Sequence, residues 1–341
     1  MKKISIYFTT MLITLSFTFV LGGVPDVLAK KIKLTFATTM PPKSNLEIQS
    51  AEFIKMIKEK TNGRIEITHY GQSTLYHAKE LIPALAKNQV NMGLLHVAMV
   101  GRRSPTLEFL GSFGAQGCWD SFDHYYRFLD NPEVLRIAEA EFDKYFNAKL
   151  LSPWAFGTGF VGAKRPIEKA EDFKGLKMRA SGTAQATMYK ALGAIPTELS
   201  SKEIYTALQR GTIDGAASGT SRFRRSKFYE VAPYITVEPT LPYLTFWLAI
   251  NKDVWAELSA EDKKLFLDVG KQLQKRSREY AAEERDEDIA FMKENAKMFI
   301  EFSESEKKKL IETVQPAMRE FSKKHVGDMY GKLWGLLDAT K

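Results

Sequence analysis

"GLKMRASGTAQATMYKALGA", Gly175 to Ala194, is the stretch on which the reading of this chain turns. Leu176, Met178 and Ala180 alternate with Lys177 and Arg179, as in a short strand with one apolar face. A loop of small residues follows, and then a run of helical character. The arrangement sets one arginine at the end of a strand, beside the start of a helix.

The same grammar extends in both directions. Downstream, "SKEIYTALQRG" reads as a helix and "TIDGAAS" as a strand. Near the start, "KIKLTFATT" (31–39) and "RIEITHYG" alternate as strands, and between them "NLEIQSAEFIKMIKEKTNG" has helical spacing with an Asn-Gly stop. "AKELIPALAKNQ" is helical, and "VNMGLLHVA" is a short buried strand. Alternating strands and helices predict an α/β sheet covered on both faces. "ALAKNQVNMGLL" from Ala84 can be set beside "ALQRGTIDGAAS" from Ala207. Each is a helix end, a tight turn at Asn88 or Gly211, and a strand carrying Asn91 or Asp214. Asn tolerates the left-handed turn that Gly adopts freely, so the exchange is physically sensible and implies two similar α/β lobes.

From Ser259 the sequence keeps a helical period through "ENAKMF", about ten turns at 3.6 residues each. Ser259 with Asp262, and Ser303 with Glu306, have capping-box spacing. A helix of that length is expected to run along both lobes. The predicted fold is therefore α/β with two lobes, spanned by a long C-terminal helix. Lobe I takes residues 30–156 with 244–285, and lobe II takes 157–243 with 286–341.

The first residues set the compartment. "MKK", an apolar stretch softened by Ser and Thr, and "VLA" form a secretory signal with cleavage after Ala29, which places the mature protein in the periplasm. The remaining 312 residues suit two lobes. Cys118 is the single cysteine, so no intrachain disulfide forms and the core must supply the stability. The formal charge of +8 is dispersed, with runs such as "RFRR" and "EKKKL" separated by "EERDED", which argues against a nucleic-acid partner. His69, His77, His96, His124 and His325 show no metal-ligand spacing, and neither a Gly-x-Ser-x-Gly elbow nor a phosphate loop occurs. Neither an enzyme nor a bound cofactor is expected.

The stretch from "DFKGLKMRAS" to "KFYEVAPYIT" resembles the solute-binding proteins of TRAP transporters, the tripartite ATP-independent periplasmic uptake systems for organic acids, of the DctP type. "GLKMR", "ALGAIPT", "EIYTALQRGTIDG" and "KFYEV" carry most of the likeness, which covers nearly the whole mature chain. The resemblance implies two α/β lobes around a cleft, crossing segments between them, and delivery of a ligand to membrane permease subunits; a monomer is expected. It implies that Arg179 pairs with the ligand carboxylate. Elementary physics agrees: ligands of open α/β sheets lie beyond the strands' carboxyl ends, helix N-termini favour anions, and a guanidinium fork matches a carboxylate.

The chain also departs from the family pattern. Many relatives carry a second arginine where Gly159 stands, an asparagine contact where Ser218 stands, and in some cases a glutamate contact where His96 stands. Trp154, Phe156 and Phe160 flank Gly159, and Trp247 follows in "YLTFWLAI". One carboxylate clamp with added space and rings predicts an aromatic monocarboxylate ligand. The candidate ligand contacts are Arg179, Ser218, His96, Thr39, Trp154, Phe156, Gly159 and Trp247. Arg222, Arg224 or Arg225 could restore a second cation. A binding protein that reports to a sensor kinase has the same sequence features as one that serves a transporter.

Overall fold

The computed structural model describes residues 31–40, 42–97, 103–237 and 244–341. The signal-segment reading falls on residues 1–30 and lies outside the described residues. Along the chain the strands are β1 (Ile32–Ala37), β2 (Ile65–Tyr70), β3 (Met92–His96), β4 (Ala148–Gly157), β5 (Gly159–Ala163), β6 (Lys177–Ala180), β7 (Ile195–Glu198), β8 (Gly215–Gly219), β9 (Tyr234–Val237), β10 (Leu244–Asn251) and β11 (Met298–Glu301). Among the described residues they form two sheets, ordered β2-β1-β3-β10-β4 and β11-β9-β5-β8-β6-β7.

The two sheets are built alike. In the first, β1 lies between β2 and β3 and runs parallel to both, and β10 adds antiparallel to β3. In the second, β6 lies between β7 and β8 and runs parallel to both, and β5 adds antiparallel to β8. The short sequence match between the lobes thus marks equivalent places. Asn88 and Gly211 both sit in the left-handed region, with φ of 55° and 74°. Asn91 Oδ1 accepts from the Thr35 amide of β1 at 2.8 Å, and Asp214 Oδ2 accepts from the Lys177 amide of β6 at 2.8 Å. In each lobe a polar side chain before the third strand ties down the central one.

The chain crosses between sheets at Gly157, whose φ of 124° few other residues tolerate. The long helix, Ala260–Asn295, has 36 residues and begins where Ser259 Oγ accepts from the Asp262 amide. Buried Asp262 is also gripped by both terminal nitrogens of Arg64, which hold its carboxyl below the usual range. Toward the first sheet, Gly270 and Ser277 of this helix bond to Trp154 and the Ala155 amide. Toward the second, Asp288 approaches Arg224 at 3.7 Å. One rigid element therefore touches both lobes.

The helix Glu304–Val326 packs against Thr183–Ala191 on one side and, through Ser322 Oγ to the Gly114 carbonyl at 2.6 Å, against the 105–115 segment on the other. Among the described residues no helix is long and apolar enough to cross a membrane.

Candidate ligand cleft

A cleft of about 720 Å³ opens between the lobes. One wall comes from the first lobe: His96 at the end of β3, Leu244 at the start of β10, Lys79, Glu108 and Phe113. The other comes from the second lobe: Gly159, Arg179, Ser218, the loop Ser181–Gly182 and the segment from Glu198 to Glu203. Both walls are made at the carboxyl ends of parallel strands, where an open α/β sheet leaves room for a ligand.

Arg179 is the third residue of β6 and only 8% exposed. Its Nε donates to the Leu199 carbonyl at 3.0 Å, which fixes the plane of the guanidinium. Among the described residues the two terminal nitrogens have no hydrogen-bond partner and no carboxylate lies within ion-pair distance. Burial pushes its pKa down, and the nearby Arg222 charge adds to that, while Tyr189 opposes it. Arginine remains charged in any protein, so the site holds a desolvated cation with its bidentate edge unused. The helix Thr183–Ala191 starts beside it, after Ser181, whose amide and hydroxyl both donate to Gln185 Oε1.

On the facing wall the His96 ring stacks on Phe246 at 4.8 Å and meets Phe113 edge-on at 5.7 Å. Its Nε2 is buried and has no partner among the described residues. Burial lowers its pKa to about 4, so the imidazole is neutral at pH 7. The unfolded chain takes up this proton near pH 6.5, before the folded one does. This part of the stability is therefore complete above about pH 6.5 and is lost as pH falls toward 4. The melting temperature of His96→Gln is expected to fall less steeply over that interval than that of the wild type, and equal slopes in a pH series of thermal melts would contradict it.

The profile of the bacterial extracellular solute-binding protein family 7, DctP, matches residues 36–324. The chain belongs to this family. It is 31% identical over 243 residues to a C4-dicarboxylate-binding periplasmic protein of Rhodobacter capsulatus, covering 69% of each chain. Its fold is similar to that of a TRAP periplasmic solute-binding protein from Ochrobactrum anthropi, with TM-score 0.83 and 21% identity over 91% of this chain and 96% of the other. A TRAP solute-binding protein from Sulfurospirillum deleyianum with bound succinate superposes with TM-score 0.75 and 25% identity, covering 92% of this chain and all of that one.

In this family 7 protein the cleft gathers Arg179, Ser218, His96 and Gly159, as the sequence suggested. It does not gather the proposed aromatic wall. Trp154 and Trp247 are fully buried, Trp154 against Phe53 and the long helix and Trp247 against Phe142. Phe160 is likewise in the second lobe's core, packed on Phe223. Phe156 is half-buried against Phe246, and Thr39 is half-buried; neither lines the cleft. Sequence proximity to Gly159 misled because β4 and β5 are buried along nearly their whole length, so that successive residues face two packed layers instead of one.

Of the three arginines after β8, Arg224 turns to Asp288 and the Phe291 ring, and Arg225 to Ser221. Arg222 donates to the carbonyl of Ser201, a residue of the cleft wall, at 2.9 Å, and its Nε is buried without a partner among the described residues. It stands just behind the wall. Sequence reading missed Glu108 and Phe113; the signal for Glu108 was a lone carboxylate among Leu107, Phe109 and Leu110. Among the described residues no cluster of His, Cys, Asp and Glu could hold a metal ion.

Proposed function

We propose that this protein captures a small organic carboxylate between its lobes and passes it to the membrane permease of a TRAP transporter. The observation that carries this reading is Arg179, a buried cation in the cleft wall whose forked edge meets no pairing anion among the described residues. Leaving such a charge uncompensated is costly, and a bound carboxylate offsets the cost with two parallel charge-assisted bonds.

The body of the ligand is read from what surrounds that clamp. Gly159 leaves space, and Phe113, His96, Leu199 and Leu244 supply ring and apolar surface, which supports a monocarboxylate with a flat apolar body. Burying one aromatic ring of about 150–200 Å² contributes roughly 4–5 kcal/mol before ordering costs. The second reading is a C4-dicarboxylate. The name of the Rhodobacter relative and the succinate in the Sulfurospirillum protein favour it, with Arg222 as the second cation. A thermal-shift panel of aromatic monocarboxylates, C4-dicarboxylates and sugar acids separates them. Stabilisation by the aromatic acids alone is expected, and stabilisation only by dicarboxylates or sugar acids would overturn the aromatic reading.

Capture of this kind requires the lobes to close on the ligand. The chain crossing at Gly157 and the long shared helix allow a hinge rotation of one lobe on the other. Small-angle scattering is expected to give a smaller radius of gyration with saturating ligand than without. Identical profiles in the two states would argue against closure.

A further inference from the structure

We propose that the ligand is a zwitterionic amino acid, with its carboxylate on Arg179 and its ammonium group on Glu108. This rests on the carboxylate reading of Arg179 and narrows it. Glu108 belongs to the short helix Pro105–Leu110 in the first lobe's wall, held there by Leu107 and Phe109, both fully buried. Its carboxylate lines the cleft. Among the described residues it has no hydrogen bond and no ion pair. The neighbouring Ser104 hydroxyl is committed to Glu141. Among the described residues the charge that acts on Glu108 is that of His325, whose Nδ1 is engaged with the Phe321 carbonyl at 2.8 Å. Burial raises the Glu108 pKa, and the His325 charge only partly opposes it.

The rest of the cleft lining supports the same conclusion. Its ionisable groups besides His96 are Lys79 and Arg179 against Glu108, Glu198 and Glu203. Lys79, Glu198 and Glu203 are exposed at the rim, and Glu203 already accepts from the Ser200 amide at 2.9 Å. Among the described residues that leaves one cation and one anion drawn back from the rim, on opposite lobes, each without an ion-pair partner. His96 is neutral at pH 7 and adds no charge. Even with Arg222 counted behind the wall, cations do not outnumber carboxylates among the described residues, which therefore offer no excess of positive charge to a dianion. A second ligand carboxylate would face Glu108, whereas an ammonium group would give it three donors. When the lobes close, the two charges approach the two ends of one zwitterion.

The test is titration calorimetry on the full chain and on its Glu108→Gln variant. The ligands are phenylalanine and γ-aminobutyrate, each with its des-amino counterpart, 3-phenylpropanoate or butyrate, and succinate. At least one amino acid is expected to bind the wild type ten or more times tighter than its des-amino partner. E108Q should abolish that preference by weakening the amino acid, leave the des-amino acid unchanged or tighter, and keep or raise the melting temperature of the empty protein. If des-amino acids or succinate bind best and E108Q does not weaken them, the zwitterion is wrong while the Arg179 reading stands. If no carboxylate in the panel binds, both are overturned.

Discussion

Replacing Arg179 by alanine is expected to remove nearly all ligand binding while leaving the empty protein as stable as the wild type, or slightly more so. Among the described residues the guanidinium makes one hydrogen bond, to the Leu199 carbonyl, and no ion pair. Burial works against its charge, and the nearby Arg222 charge works in the same direction. In the liganded state two charge-assisted bonds are lost, about 3–4 kcal/mol together, or on the order of a hundred- to a thousandfold in affinity. Arg179→Lys should recover little of this, because a single ammonium cannot reproduce the planar fork. Titration calorimetry of both variants against the tightest ligand of the wild type is the check. Near wild-type affinity in the alanine variant would remove Arg179 from the site.

The second large effect is on stability. Trp154→Ala empties a position that is fully buried between Phe53 and the long helix, where the indole donates to the Gly270 carbonyl at 3.4 Å. Truncations of this size cost about 3–5 kcal/mol. The loss should appear in chemical denaturation as a lower midpoint, with affinity unchanged in the protein that remains folded. Were Trp154 a wall of the cleft, the pattern would be the reverse, with weakened binding and an intact midpoint.

That contrast marks how far residues alone could be read. Alternation of apolar and polar residues in "KIKLTFATT" and "GLKMRAS" located β1 and β6, although the fold buries Arg179 as well as the apolar residues beside it. The Asn88 and Gly211 turns identified the paired lobes, since both places demand the same left-handed backbone. The position of Arg179 was legible as well, at a strand's carboxyl end next to a helix start, and the fold places it in the cleft wall.

The aromatic residues were not legible. Whether Trp154 or Phe113 faces a cleft depends on which layer covers each face of the sheet, and no local pattern carries that. Glu108 went unnoticed for a related reason. Its helix is six residues long, too short for a face to declare itself. Only the approach of the 105–115 segment to the end of β6, held by Ser322 on Gly114, gives it a place in the cleft.

Native mass spectrometry of gently purified protein, with identification of the molecule it releases, addresses the binding reading at its root. The expected result is a small carboxylic acid bound one to one to the wild type and absent from Arg179→Ala prepared in the same way. A released molecule with no acid group, or one retained in full by the alanine variant, would contradict the assignment of the cleft to a carboxylate held by Arg179.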